Sequence, residues 1–267
     1  GSIYSAIASK WTHRYSICLE DTGNKEQVYL YKPFTNLILS PENLKDSFGS
    51  KHIKYPSFHE SAYLSPQEFV ADKSVLDELN LTEKDKYIIV RFVSRKSSHD
   101  MGESRLSDFE KIRIVKRFEQ FVKVYISSEE ELPAELQIYS FPSAISRIHH
   151  AMAFAKLFYG ESATMCSEAA FLGVPSVLID SQGRDYTNYL EEKYELVKNF
   201  TGKNYNIEKS LDYAVELLNT DNTATIRHKH KLLLQEHINL TDFLFWLITN
   251  YPQSINQLKK YPKVFPF

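Results

Sequence analysis

The chain has 267 residues, 43% hydrophobic and 25% charged, with a formal net charge of −2 when its nine histidines are neutral. That length suits one large or two modest domains with a sizeable core, and a near-neutral chain has no global field for nucleic acid or an anionic membrane, so neither partner is indicated. The two cysteines, Cys18 and Cys166, lie in a predicted strand and a predicted helix without CxxC or Cys/His spacing. This argues against a disulfide framework or structural zinc and fits a reducing cytoplasm. No signal-peptide pattern occurs, and no apolar run approaches the ~20 residues of a spanning helix, so a soluble protein, at most peripheral at a membrane, is expected.

Ile3 to Trp11 has helical spacing, and Tyr15 to Leu19 reads as a short strand ending in the acidic turn Glu20-Asp21-Thr22-Gly23-Asn24. Carboxylates at a strand's carboxyl end lie where open α/β sheets place ligands. Asn36 to Leu39 is a second short strand, a helical turn starts at Pro41, and Lys51 to Tyr55 is a third strand, followed by His59 and Glu60 in FHESAYL. Three short strands make a poor sheet, so residues 1–65 read as a partial Rossmann-like domain whose first strands are missing or were never present. No GxGxxG occurs. Residues 66–86, with Pro66, a helical stretch at Ser74 to Leu79 and a charged turn at Glu83 to Lys86, read as a linker.

A second domain is expected over 87–219. Tyr87 to Ser94, YIIVRFVS, is apolar enough for a strand buried on both faces. The loop RKSSHD follows, then a helix at Ser107 to Phe121, a strand at Val122 to Ser127 and a helix at Ile148 to Ala155. Leu157 to Asp180 completes a βαβ unit: a strand to Gly160, a turn through Glu161, Ser162 and Ala163, a helix from about Thr164 to Leu172, and a strand from Ser176 to Ile179. Gly173 and Pro175 mark the helix end. Ser162 or Thr164 can cap the helix start, where unpaired first-turn N–H groups bind anions, although Ser or Thr there is usually only a cap. Glu168, one turn further on the Thr164 face, could accept from sugar hydroxyls, and phosphate plus ribose is a nucleotide. Helices at Asn188 to Tyr194 and Ile207 to Leu218 follow. Residues 220–267 read as a helical tail, Ile226 to His237, Thr241 to Asn250 and Gln253 to Lys260, in which FLFWLI is of core rather than membrane length.

The loops after Ser94 and Gly160 follow parallel strands and can converge on one ligand, where Arg95 or Lys96 would neutralise a diphosphate. His99-Asp100 resembles a histidine with its acid, though neighbours in sequence seldom pair. His149 and His150 on one helix point about 100° apart, poor co-ligands for one ion, so no metal is expected. GxSxG, Walker A, HExxH and kinase signatures do not occur.

The blocks YPSFHESAYL, VRFVSRKSSHD, VYISSEEELP, IHHAMAFA, GESATMCSEAAFLGVPS, LEEKYELV and INLTDFLFWLITNYPQS together resemble the prokaryotic family catalogued as domain of unknown function 354, over nearly all of residues 13–267. That family is similar to the non-hydrolysing UDP-N-acetylglucosamine 2-epimerases and to GT-B glycosyltransferases, and occurs in surface-polysaccharide settings. The resemblance implies an α/β, GT-B-like fold: a C-terminal Rossmann-like parallel-sheet domain, a truncated N-terminal Rossmann-like portion and C-terminal helices. In the epimerases an acidic-Ser-Gly-Gly turn binds the UDP diphosphate and a Glu along the helix binds ribose, which match Glu161, Ser162, Ala163, Thr164 and Glu168. Their His-Arg-Arg matches Ser94-Arg95-Lys96, so the basic pair survives and the histidine is lost, unless His99 moves in. The first-domain acids match Glu20 and Asp21 only loosely.

The resemblance and the residues together lead to the expectation of a metal-independent glycosyltransferase with a nucleotide-sugar donor, UDP-linked, a glycan or glycolipid acceptor and no further cofactor; if the mechanism inverts, Asp21, His59 or Glu60 of the first domain is the candidate base. A UDP-sugar 2-epimerase and a non-catalytic nucleotide-sugar-binding protein are the alternatives. Each candidate base also reads as a cap, turn or core residue, and homo-oligomerisation is left open.

Overall fold

Two parallel sheets organise the computed structural model, which describes residues 1–94, 106–203 and 205–261. The chain divides into unit 1, Gly1–Ser65 with Leu234–Phe267, and unit 2, Pro66–Leu233. Unit 1 begins with α1 (Ile3–Trp11), β1 (Ile17–Leu19), α2 (Lys25–Tyr31), β2 (Leu37–Pro41), β3 (His52–Tyr55) and α3 (Ser61–Leu64). Unit 2 runs through α4 (Val75–Glu78), β4 (Tyr87–Phe92), α5 (Asp108–Phe118), β5 (Lys123–Ser128), α6 (Ile148–Phe154), β6 (Leu157–Gly160), α7 (Ala163–Phe171), β7 (Ser176–Asp180), α8 (Asp185–Tyr194), β8 (Val197–Thr201) and α9 (Ile207–Asn219). Helix α10 (Thr223–Glu236) leads back to unit 1, which ends with α11 (Leu240–Thr249) and α12 (Gln253–Lys260).

The unit 1 sheet has the order β1-β2-β3. Every residue of β2 is buried, as in a strand covered on both faces. Leu37 and Leu39 pack with Ile53 and Tyr55 against Leu240, Phe243 and Leu247 of α11 and Ile255 and Leu258 of α12. On the other face Ile38 and Cys18 meet Ala6 of α1 and Val28 and Tyr31 of α2. The apolar FLFWLI patch is therefore core material on one side, while Phe245 and Ile248 stay exposed. The turn expected from Pro41 is present as a single turn, Leu44 N donating to Pro41 O at 3.2 Å, and Pro41 also ends β2 opposite Tyr55, where Glu42 N donates to Tyr55 O at 2.9 Å. Helix α2 had no counterpart in the sequence reading, because exposed Tyr29 and Leu30 blur its inward spacing; Asn24 caps it by accepting from Gln27 N.

Unit 2 carries the sheet β5-β4-β6-β7-β8, parallel throughout. Ile88, Val90, Tyr159, Val177 and Ile179 pack under Ile114, Val115 and Phe118 of α5 and Leu211 and Leu218 of α9. Strand β8 also went unread: VKNFT is polar and only Val197 is buried, so its pairing with β7, from Ser176↔Val197 to Asp180↔Thr201, is what makes it a strand. Residues 66–86, expected as a linker, belong to unit 2. Arg147 pairs with Asp72 (2.8 Å) and Glu78 (3.0 Å), Tyr125 OH donates to Leu79 O (2.6 Å), and Val75, Leu76, Leu79 and Leu81 are buried. Charges that suggest a solvated connector are here neutralised by partners far along the chain.

Candidate nucleotide site

From β4 the unit 2 sheet grows through β5 on one side and through β6 on the other, so its direction reverses between β4 and β6. Open parallel sheets leave a crevice beyond the strand ends at such a switch point. Gly160 ends β6 there. A Cβ on it would lie 2.3 Å from Arg91 O and 2.8 Å from Arg91 N, so glycine is what allows the two backbones to approach. Just beyond, Glu161 N donates to Arg91 O at 3.1 Å, and Glu161 Oε2 accepts from Val93 N at 3.3 Å. Glu161 is buried and ties the ends of β4 and β6 together.

Ser162 is the N-cap of α7, its Oγ accepting from Met165 N at 3.3 Å. Ala163 opens the helix and Thr164 is exposed. Helix geometry gives the N–H groups of Ala163 and Thr164 no intrahelical acceptor, and the helix dipole adds partial positive charge at that end. One turn deeper, Glu168 is 7% exposed, and its Oε1 lies 3.0 Å from His149 Nε2 on α6. The neighbouring histidine turns elsewhere: His150 Nδ1 accepts from Asp72 N at 3.0 Å. The two imidazoles diverge as helix geometry requires, with Phe69 edge-on to His149 and tilted against His150.

Ser94 donates from its N to Glu129 Oε2 (2.9 Å) and from its Oγ to Glu130 Oε1 (3.1 Å). Arg95, Lys96 and His99 lie outside the described residues. Arg91 is a cation at this edge that the sequence reading missed, although it is the one charge interrupting YIIVRFVS. Its Nη1 donates to Ser127 Oγ (2.7 Å) and its Nη2 to Glu129 Oε1 (2.5 Å). Beside the end of β5 opens a cleft of about 540 Å³ whose lining includes Ser127, Ser128, Leu132, Ser140 and Phe141.

In unit 1, Asp21 and His59 were separate candidates, and they form a pair: His59 Nδ1 lies 3.0 Å from Asp21 Oδ2. Burial works against the Asp21 charge, yet the hydrogen bond and charge of His59 outweigh it and hold the carboxyl below its usual range. His59 Nε2 is buried without a hydrogen-bond partner, as is the hydroxyl of Tyr55, whose ring stacks on the imidazole at 6.4 Å. Burial, then the charges of Asp21 and Glu60, push the Tyr55 phenol far up. Glu60 is buried just before α3 and makes no side-chain cap. Glu20 serves its own turn, accepting from Thr22 Oγ1 (2.8 Å) and Gly23 N (3.1 Å) at Oε1 and from Tyr31 OH (2.9 Å) at Oε2. Among the described residues no group of three or more His, Cys, Asp or Glu could hold a metal ion, and no helix is long and apolar enough to cross a membrane.

The fold is mixed α/β with Rossmann-like parallel sheets and matches, as a GT-B-like fold, solved structures that include a putative UDP-N-acetylglucosamine 2-epimerase from Listeria monocytogenes and a glycotransferase. An S. aureus MnaA structure with UDP matches 98% of this chain and 75% of its own, at 12% identity and TM-score 0.62. The UDP-GlcNAc 2-epimerase from Neisseria meningitidis bound to UDP-GlcNAc matches 87% of this chain and 72% of its own, at 12% identity and TM-score 0.56. The glycotransferase of kitacinnamycin matches 91% and 72%, at 11% identity and TM-score 0.52. No family model matches the chain and no curated protein matches it in sequence, so the likeness to domain of unknown function 354 stands as a resemblance.

Proposed function

We propose that the chain binds a nucleotide sugar, UDP-linked, and transfers its sugar to a glycan or glycolipid acceptor in surface-polysaccharide or glycolipid assembly. The observation that carries this reading is the Gly160-Glu161-Ser162 turn, which brings the α7 N-terminus to the β4/β6 switch point with Glu168 one turn deeper. The neighbouring structures bound to UDP and UDP-GlcNAc support the nucleotide class. Departing diphosphate charge is stabilised by the first-turn N–H groups and the helix dipole, with Arg95 and Lys96 as cations, so no metal is required. The serine-lined cleft beside β5 offers hydroxyl groups and an aromatic wall to the base. Within unit 1 the Asp21–His59 pair is the candidate general base: Asp21 holds Nδ1–H of His59, which leaves Nε2 to take a proton.

A second reading, a UDP-sugar 2-epimerase, is favoured by the epimerases among the structural neighbours. Ser94 standing where that chemistry uses histidine weighs against it. Calorimetric titration with UDP, UDP-N-acetylglucosamine, CMP and GDP tests the common element. One nucleotide should bind saturably, and Ser162→Ala/Glu168→Ala should abolish that binding. Epimerised UDP-N-acetylglucosamine without any acceptor selects the second reading; saturable binding with no turnover of any sugar nucleotide, acceptors included, leaves a binding protein.

A further inference from the structure

Glu168 is a carboxylate with a side chain only 10% exposed, and a buried charge of this kind is tolerated when hydrogen bonds hold it. Its partner His149 sits on α6, whose inward face of Ile148, Ala151 and Met152 fixes the helix in the unit 2 core. Phe69 closes edge-on over the imidazole. Helix α6 and helix α7 thus hold donor and acceptor on separate rigid elements at 3.0 Å, a charge-assisted contact that selects one carboxylate rotamer. Pre-orienting a carboxylate matters where it must receive two neighbouring hydroxyls at once, because a rotating carboxylate loses conformational freedom on binding.

We infer that His149 is the positioning residue for ribose recognition: its Nε2–H orients Glu168 toward the 2′- and 3′-hydroxyls of a nucleotide whose phosphates rest on the α7 N-terminus. This rests on the nucleotide reading above. The pair then decides more than affinity, since it separates ribonucleotides from 2′-deoxyribonucleotides, and no other residue need touch the sugar for His149 to exert that effect.

Affinities of the whole chain for UDP and 2′-deoxy-UDP, measured for wild type, His149→Gln, His149→Ala and Glu168→Ala, test it. Wild type should prefer UDP about tenfold, the scale of one hydrogen bond to a charged group. His149→Ala should weaken UDP about five- to tenfold and bring the preference close to one, while His149→Gln, whose amide nitrogen can replace Nε2, keeps both. Thermal unfolding of each variant reports the fold separately. A folded His149→Ala chain with an unchanged ratio of UDP to 2′-deoxy-UDP affinity overturns the inference, as does a wild type that binds both equally. A wild type that binds no nucleotide overturns the functional reading, and this inference with it.

Discussion

The candidate site of unit 2 is written along one continuous stretch, whereas the Asp21–His59 pair of unit 1 is assembled from elements separated by β2 and β3. In unit 2 the strand, turn and helix come in order, and local rules place Gly160, Ser162 and Glu168 before any partner is known. In unit 1 the imidazole finds its acid only once a three-stranded sheet has formed, and that sheet depends on α11 and α12 arriving from the far end of the chain. A local site should tolerate loss of distant packing better than an assembled one, and single substitutions can separate the two.

The largest effect is expected at Gly160. Gly160→Ala forces a Cβ onto the backbone of β4, which cannot swing aside as a side chain does, and should cost about 3 kcal/mol or more in urea-monitored unfolding. An unchanged midpoint would mean that the β4/β6 approach is looser than described.

Acid should act next, through unit 1. His52 accepts from Phe48 N at Nδ1 and meets Ser40 Oγ at Nε2, so it is held neutral. Burial first, then the charge of Lys54, lower its pKa from 6.5 to about 4, against an opposing contribution from Glu20. The unfolded chain therefore takes up the proton first as pH falls. The stabilisation is complete above about pH 6.5 and is lost progressively toward pH 4. Allowing for solvent screening at a half-buried site, about 2 kcal/mol should disappear over that window. His52→Asn, which keeps an acceptor for Phe48 N, should flatten the slope. His230 in unit 2 shifts in the same direction by burial, partly countered by its contact with Phe171 O, so the difference between wild type and His52→Asn isolates the unit 1 share.

His59→Ala removes the hydrogen bond that holds Asp21 down. The Asp21 carboxyl should then titrate at higher pH, followed by its side-chain ¹³C resonance, and the stability it contributes above its unfolded pKa should shrink, by less than about 1 kcal/mol because solvent screens a side chain 36% exposed. A resonance that titrates unchanged would separate the two residues.

The smallest effects contrast two helix caps. Asn24→Ala in unit 1 and Ser162→Ala in unit 2 should each cost about 1 kcal/mol of stability. Only Ser162→Ala should also lower nucleotide affinity, and equal affinity in the two variants would reduce Ser162 to a cap.

Legibility followed the range of the interactions. The β6–α7–β7 unit could be read because an apolar strand, a capping serine and the Gly173 stop, at φ +76°, are all local devices. Strand β8 could not, since a polar edge segment becomes a strand only through β7. In the sequence His149 reads only as a poor co-ligand beside His150, and nothing near it points to Glu168.

By itself, then, the sequence determined the βαβ grammar of unit 2, the parallel sheet and the turn that brings Ser162 to a helix start, because backbone preference and hydrophobic period act over a few residues. Tertiary structure alone decided which charges meet: Asp21 with His59, Glu168 with His149, and Arg147 with Asp72 and Glu78. It also decided that the last two helices complete the first sheet. Burial and side-chain pairing depend on which surfaces the folded chain brings into contact, and local sequence spacing carries no record of that.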